Sequence, residues 1–223
     1  MAVSLYHQLL DAPDLKLLID RVQAQLADEQ QKRQEFYDWL TPEVKAEFIN
    51  GEIVMHSPAK KRHLRANKRL FNLLETFVTL KGEGEVDTEK ALVALTRNDY
   101  EADICYWRPA KADTFTDDTM QHPAPDLVVE VLSQSTEGRD RGVKFTDYAA
   151  HGVQEYWIVD PLAQTVETYL LDPDLHRYEP VEPLTIKATL RSGVVAGFAI
   201  PVRAIFDAEA YAAALQGIMG EAN

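Results

Sequence analysis

The chain has 223 residues, 36 Asp and Glu against 23 Lys and Arg, a formal net charge of −13 and 46% hydrophobic residues, the balance of a folded chain long enough for one core with additions. The acid surplus excludes a protein that coats nucleic acid by bulk charge, and no apolar run approaches the roughly 20 residues that cross a bilayer. The single cysteine, Cys105, excludes an internal disulfide and a cysteine-rich zinc site. The first residues lack the basic start and apolar middle of a signal peptide, so a cytoplasmic protein is expected.

Over residues 14–40, Leu15, Leu18, Ile19, Val22 and Leu26 recur at helical spacing, and a polar stretch leads on to Phe36, Trp39 and Leu40; one or two helices are expected. Thr41-Pro42 fits an N-cap and first helical position for a short turn over TPEVKAEF. Asn50-Gly51, between short apolar runs, marks a hairpin. A long amphipathic helix is expected over 59–80, closed by Gly82 and Gly84. It carries His63, Asn67, Leu70, Leu74 and Phe77 on one stripe and Lys61, Arg65, Lys68 and Arg69 on another. Strands are expected over 86–95, 102–107 and 127–132, then a helix over 139–150 capped by Gly152, then a strand over 156–159. Further strands in VETYLL, HRYEPV and LTIKATL and a helix over 207–219 complete the pattern. The order helix, three strands, helix, strand predicts an α/β or α+β domain with a mixed sheet, helices on its faces and a parallel last crossover.

The segment PDLVVEVLSQST, residues 125–136, is the most informative. Its Leu and Val run reads as a strand buried on both faces, with Glu130 inside it. An ionised carboxylate there costs several kcal/mol unless paired, protonated or metal-bound, so Glu130 is either a site residue or half of a buried salt bridge. Alternation over 101–107 places Glu101, Asp103 and Cys105 on one face. If that strand neighbours the Glu130 strand, Asp103 and Glu130 converge, and two such carboxylates repel unless a hard cation such as Mg²⁺ or Mn²⁺ lies between them. Asp126, about 13 Å from Glu130 by strand rise, reads as a strand-entry residue. Lys144 could reach back over the sheet end, but residue type and spacing alone favour a surface pair with Asp140 or Asp147, and Tyr148 reads equally well as packing. Lys60, Lys61, Arg62, Arg65, Lys68 and Arg69 form a basic cluster that is either a solvated face or a steering surface for phosphates. His63 on the apolar stripe is first expected to be a core histidine. His56, His122, His151 and His176 follow no metal-ligand spacing, and the phosphate-loop, GxGxxG and GxSxG patterns are absent.

Taken together, NGEIV, SPAKKRH, EADICYW, PDLVVEVLSQST, DRGVKFTDYAAHGVQEYWIVDP and VETYLL resemble the Uma-two family of endonucleases in the PD-(D/E)xK, or restriction-endonuclease-like, superfamily. The resemblance covers roughly residues 41–205 and implies a restriction-endonuclease-like core of helix, three strands, helix and strand around a mixed sheet. A helical extension over 1–40 and a C-terminal helix over 206–223 would lie outside it. It further implies metal-dependent hydrolysis of nucleic-acid phosphodiester bonds, with DNA as the first expectation, using Mg²⁺ or Mn²⁺ held by Asp103, Glu130 and the Val131 carbonyl. Asp103 matches the first-motif acid, although Ala102 stands where Pro is usual. Glu130 matches the second-motif acid, but Leu132 stands where the superfamily has Lys. Lys144, on the next helix, matches the family's displaced lysine, and this lifts it above the surface-pair reading. Glu52 and His63 match an acid and a histidine of the family and are expected, with Tyr148, behind the ligands; Glu47 is a weaker candidate. Lys61, Arg65, Lys68 and Arg69 would hold the nucleic-acid backbone, and two copies would form a dimer suited to cutting a duplex. A non-catalytic nucleic-acid- or protein-binding module of the same fold, favoured by Leu132 and the acidity, and a metal-dependent hydrolase of another phosphodiester are the alternatives.

Overall fold

Two helices open the chain, α1 (Leu5–Leu10) and α2 (Leu15–Trp39), in the computed structural model, which describes residues 5–41, 43–179 and 182–220. Pro42, expected to start a helical turn, and residues 180–181, expected in a strand, lie outside the described residues. The helical spacing of 14–40 gives a helix, but not a buried one: Ile19, Val22 and Leu26 are exposed. The C-terminal half anchors α2. Phe36 packs against Phe48 with ring centroids 5.8 Å apart, and Arg97 donates to both oxygens of Glu29 at 2.7 and 2.8 Å.

The Asn-Gly signal is a hairpin of β1 (Ala46–Ile49) and β2 (Glu52–Met55), with Ala46 opposite Met55 and Ile49 opposite Glu52. Asn50 and Gly51 have φ of 51° and 84°, as a two-residue turn with both central residues left-handed requires. The helical turn expected over TPEVKAEF is therefore corrected: Ala46–Ile49 is a strand, because pairing with β2 outweighs the local helix-start signal.

Next comes α3 (Lys61–Lys81), ended by Gly82 at φ 64°. Its Leu70, Leu74 and Phe77 are buried as patterned, each buried Leu or Phe contributing about 1.5–3 kcal/mol. The strand expected over 86–95 is two strands, β3 (Glu85–Thr88) and β4 (Leu92–Ala94), and that over 102–107 is β6 (Ile104–Trp107), preceded by a separate strand β5 (Asp99–Glu101). β3 and β6 belong to one sheet and β4 and β5 to another, so the chain crosses between sheets around Glu89, with φ 62°, and again at Ala102-Asp103. The polar loop beyond contains α4 (Pro109–Ala112) and β7 (Gln121–His122), followed by β8 (Leu127–Val131). The helix expected over 139–150 is broken at Gly142 into α5 (Glu137–Asp140) and α6 (Val143–Ala150), and β9 (Glu155–Asp160) follows. The remaining elements are β10 (Thr165–Asp172), β11 (Arg177–Tyr178), β12 (Leu184–Thr185), β13 (Thr189–Arg191), β14 (Ala199–Pro201), α7 (Arg203–Phe206) and α8 (Ala208–Gly220).

The central sheet runs β11-β10-β9-β8-β6-β3, with β12 also on β10; β8 and β9 are parallel, as the crossover through α5 and α6 requires, and the other pairs are antiparallel. A second sheet runs β2-β1-β5-β4-β7. Alternate residues of β8 divide the core. Leu127, Val129 and Val131 join the cluster of α3, α7 and α8, while Val128 joins the cluster of α6 and Tyr156. The helix–three strands–helix–strand core, a mixed α+β fold, is thus present as α3, β3, β6, β8, α6 and β9. No helix among the described residues is long and apolar enough to cross a membrane.

Gly84 fixes how β3 leaves α3: its φ is 104°, and an added Cβ would meet the Trp107 carbonyl oxygen at 2.2 Å. Gly84→Ala is expected to lower stability by more than about 1 kcal/mol, read as a reduced urea midpoint at unchanged slope. An unchanged midpoint would refute this close approach.

Candidate active site

Extending the β6–β8 register by one residue from Ile104↔Val129 sets Asp103 opposite Glu130. The Asp103 carboxylate accepts from the N–H of Val131, the residue after Glu130, and both acids line one cleft. Asp103 itself lies off the ladder, at the crossing between sheets. Its carbonyl is taken by Thr88 Oγ1 at 2.7 Å and Glu89 N at 3.3 Å, its Oδ2 accepts from Val131 N at 2.7 Å, and its Oδ1 lies 3.2 Å from His63 Nε2. Burial works against its ionised form, but His63, Lys45 and the Val131 N–H more than offset it and lower its pKa. The same contact raises the His63 pKa against the opposing effect of burial.

Lys144 is the buried centre of the site at 1% exposure, which corrects the surface-pair reading. Its Nζ donates to Glu130 Oε1 at 2.9 Å, sits 2.7 Å from Glu47 Oε1 and 3.7 Å from Asp140 Oδ1, and lies 5.5 Å from the Tyr100 ring centroid. The Tyr148 hydroxyl donates to the same Glu130 oxygen at 3.1 Å. Burial alone would push the lysine pKa down; Glu130, Glu47 and Asp140 instead hold it well above its ordinary value. The carboxylates outnumber the cation. Glu130 is pushed well up by burial, with Asp140, Asp103 and Glu47 adding to the effect against Lys144, and burial likewise raises Asp140. Glu47 goes the other way, to about 2, because Lys144 and His56 overcome its burial.

Sequence reasoning undervalued Glu47. It is 0% exposed, accepts from Glu101 N at 3.2 Å and has His56 Nε2 3.3 Å from its Oε2. The equal arms of the Asn-Gly hairpin were the signal for it, since β2 needs a partner strand that includes position 47. Glu52 is corrected: it is exposed on β2 and is not brought to the cluster. Val131 contributes its N–H to Asp103, and Asp126 is the strand-entry residue expected, accepting from Arg108 N at 2.9 Å and pairing with Lys111 at 3.0 Å.

A cleft of about 1060 Å³ opens over these groups, lined by Asp103, Glu130, Lys144, His56, His63, Glu101, Lys45, Lys60, Arg62, Arg139 and the turn Ser133–Thr136. The basic helix meets it through Lys60 and Arg62. Lys61, Arg65 and Lys68 are exposed but do not line it, and Arg69 turns instead toward the Ile205 carbonyl, at 3.5 Å, and the Tyr211 ring. Among the described residues, no group of three or more His, Cys, Asp and Glu side chains is arranged to hold a metal ion. Two facing carboxylates are still a fitting donor set for Mg²⁺, which keeps several waters and takes one or two carboxylates plus substrate phosphate, whereas zinc expects three or four protein ligands.

The order of core elements is that of a restriction-endonuclease-like α+β fold. The chain belongs to the Uma2 (Uma-two) family, described as "Putative restriction endonuclease", whose model matches residues 33–203. It is 31% identical over 131 residues, 56% of this chain and 71% of the relative, to "Uncharacterized protein sll1609" of Synechocystis sp.. Its fold is similar to the crystal structure of "a putative nuclease belonging to DUF820" from Anabaena variabilis, with a TM-score of 0.66 and 18% identity over 78% of this chain and 96% of that one.

Lys144→Met, close in length but uncharged, is expected to cost about 3–5 kcal/mol by leaving buried carboxylates without their cation, measured by urea unfolding at neutral pH. Glu47 supplies the pH dependence. With its pKa lowered from 4.5 to about 2, its contribution is complete above pH 4.5 and is lost as pH falls toward 2. The stability of Glu47→Gln should therefore fall less steeply than that of the parent over this interval; parallel curves would show that Glu47 is not held ionised by Lys144.

Proposed function

We propose that the protein is a metal-dependent nuclease that hydrolyses phosphodiester bonds of nucleic acid, DNA first, with Mg²⁺ or Mn²⁺ as cofactor. The observation that carries this reading is the pair Asp103 and Glu130 lining one cleft, Asp103 held by the Val131 N–H and Glu130 by a buried lysine. Asp103 and Glu130 would hold the cation, with the Val131 carbonyl as a further ligand. Bound there, the ion would acidify a water and offset charge gathering on the phosphate. His63 orients Asp103 by its Nε2 contact, and Tyr148 and Lys144 fix the Glu130 carboxylate through Oε1. Lys144, a compact point charge, offsets negative charge at the reacting phosphate. Lys60 and Arg62 at the cleft hold the flanking backbone. A cytoplasmic location fits the single cysteine, and a two-fold pair of copies would address both strands of a duplex.

A second reading is favoured by one observation: Lys144 and Tyr148 already occupy Glu130 Oε1 while no three-ligand group forms among the described residues. On that reading the domain binds nucleic acid or protein without cleaving it. Cleavage of supercoiled DNA, single-stranded DNA and RNA, with Mg²⁺, Mn²⁺ or chelator, separates the two. The nuclease requires metal-dependent cutting that Asp103→Ala and Glu130→Gln abolish while both variants remain folded; cutting by Asp103→Ala would overturn the assignment. A second readout needs no turnover. Mg²⁺ at about 100 times its dissociation constant should stabilise the parent by about 2.7 kcal/mol, and this gain should vanish in Glu130→Gln.

A further inference from the structure

Several arginines of this acidic chain are spent on carboxylates. Arg33 is tied to Asp99, Arg97 to Glu29, Arg108 to Asp126 and Arg141 to Glu137 and Glu167. Arg139 is not. It lines the cleft with Asp103, Glu130 and Lys144, and its guanidinium makes no hydrogen bond or ion pair with another described residue. Its Nε is buried without a partner. A buried donor with no acceptor is destabilising, a penalty that a bound anion would remove.

The short segment around it explains why no protein acid fills this role. Asp140, the next residue, points to a different side of the helix; it is 1% exposed and turned to Lys144. Glu137 is held by Arg141, which Glu167 also holds. Arg139 therefore carries a positive charge that the fold places at the cleft and leaves unanswered. Its planar fork can give two parallel N–H donors to two non-bridging oxygens of one phosphate, a geometry that lysine lacks.

We propose that Arg139 is the phosphate-anchoring arginine of the cleft, holding a backbone phosphate of a nucleic-acid strand beside Asp103 and Glu130. The identity of the strand rests on the nuclease reading; the anion site itself rests on the unpartnered guanidinium. Because Arg139 has no hydrogen-bond or ion-pair partner among the described residues, removing it should spare the fold, whereas a structural arginine would not be spared.

The test measures binding of fluorescein-labelled duplex DNA, single-stranded DNA and RNA to the full chain by anisotropy, in chelator and with Ca²⁺, across a salt series, with cleavage in Mg²⁺ followed alongside. Arg139→Ala is expected to keep the parent's melting temperature, to weaken binding about 10- to 100-fold, and to reduce the slope of log K against log salt by about one phosphate contact. Arg139→Lys should restore the salt slope but only part of the affinity. If the parent binds without cutting and Arg139→Ala loses binding, the nuclease reading fails and the anchor stands. If the parent cuts and Arg139→Ala binds with the parent's affinity and slope, the anchor fails and the nuclease stands. A melting temperature lowered by Arg139→Ala with unchanged salt slope would make Arg139 structural and overturn the proposal, as would a parent that binds none of the three strands.

Discussion

A lysine ammonium buried in a protein core must be answered by negative charge, and in this protein that requirement organises the whole site. Lys144 reaches Glu130 from β8, Glu47 from β1 and Asp140 from α5, so one cation ties both sheets to the crossover helices. Truncating a member of such a cluster leaves an uncompensated buried charge, which costs more than the intact pair contributes. The cluster is also over-answered: three carboxylates meet one lysine, and Asp103 stands one strand away. Burial pushes Glu130 up, and that surplus adds to it.

The second constraint is the double crossing between sheets. A continuous strand through 102–107 would commit Asp103 to the ladder and point it by strict alternation. The break at Ala102-Asp103 instead lets Thr88, Glu89, Val131 and His63 set its position. The smaller sheet is therefore more than an appendage. In it β1 carries Glu47 to Lys144 and its partner β5 delivers the chain to Asp103.

The core order was legible because α3, β8 and β9 have unambiguous periodicity and the parallel crossover follows from their sequence. Glu130 was legible as a charge inside an apolar run. The crossings at Glu89 and Ala102 were not, since hydrophobic alternation continues across a break that only tertiary pairing imposes. Position 47 was undervalued because Thr-Pro is a local helix signal, whereas the strand containing Glu47 is stabilised by a hairpin partner. In α2 the opposite happened. The spacing of Ile19, Val22 and Leu26 marks the helix correctly, but periodicity states which face is apolar and not whether anything covers it. The basic residues of α3 were legible as charges only; their azimuth on the helix sends Lys60 and Arg62 to the cleft and Arg69 to the C-terminal helices.

Leu132 is where the family resemblance and the geometry meet. At that position a lysine would extend from the strand that carries Glu130, and its removal from the motif takes away the local positive charge. Here Leu132 is buried with the apolar cluster around Tyr148 and Tyr156, while Lys144 approaches the same carboxylate from α6. Moving the lysine from strand to helix takes it deeper into the protein, where desolvation alone would discharge it. Glu130, Glu47 and Asp140 together keep it charged. The departure from Glu-x-Lys and the buried acid on β1 are thus two halves of one arrangement: a helix-borne lysine at Glu130 requires a second carboxylate behind it, and the smaller sheet supplies that carboxylate.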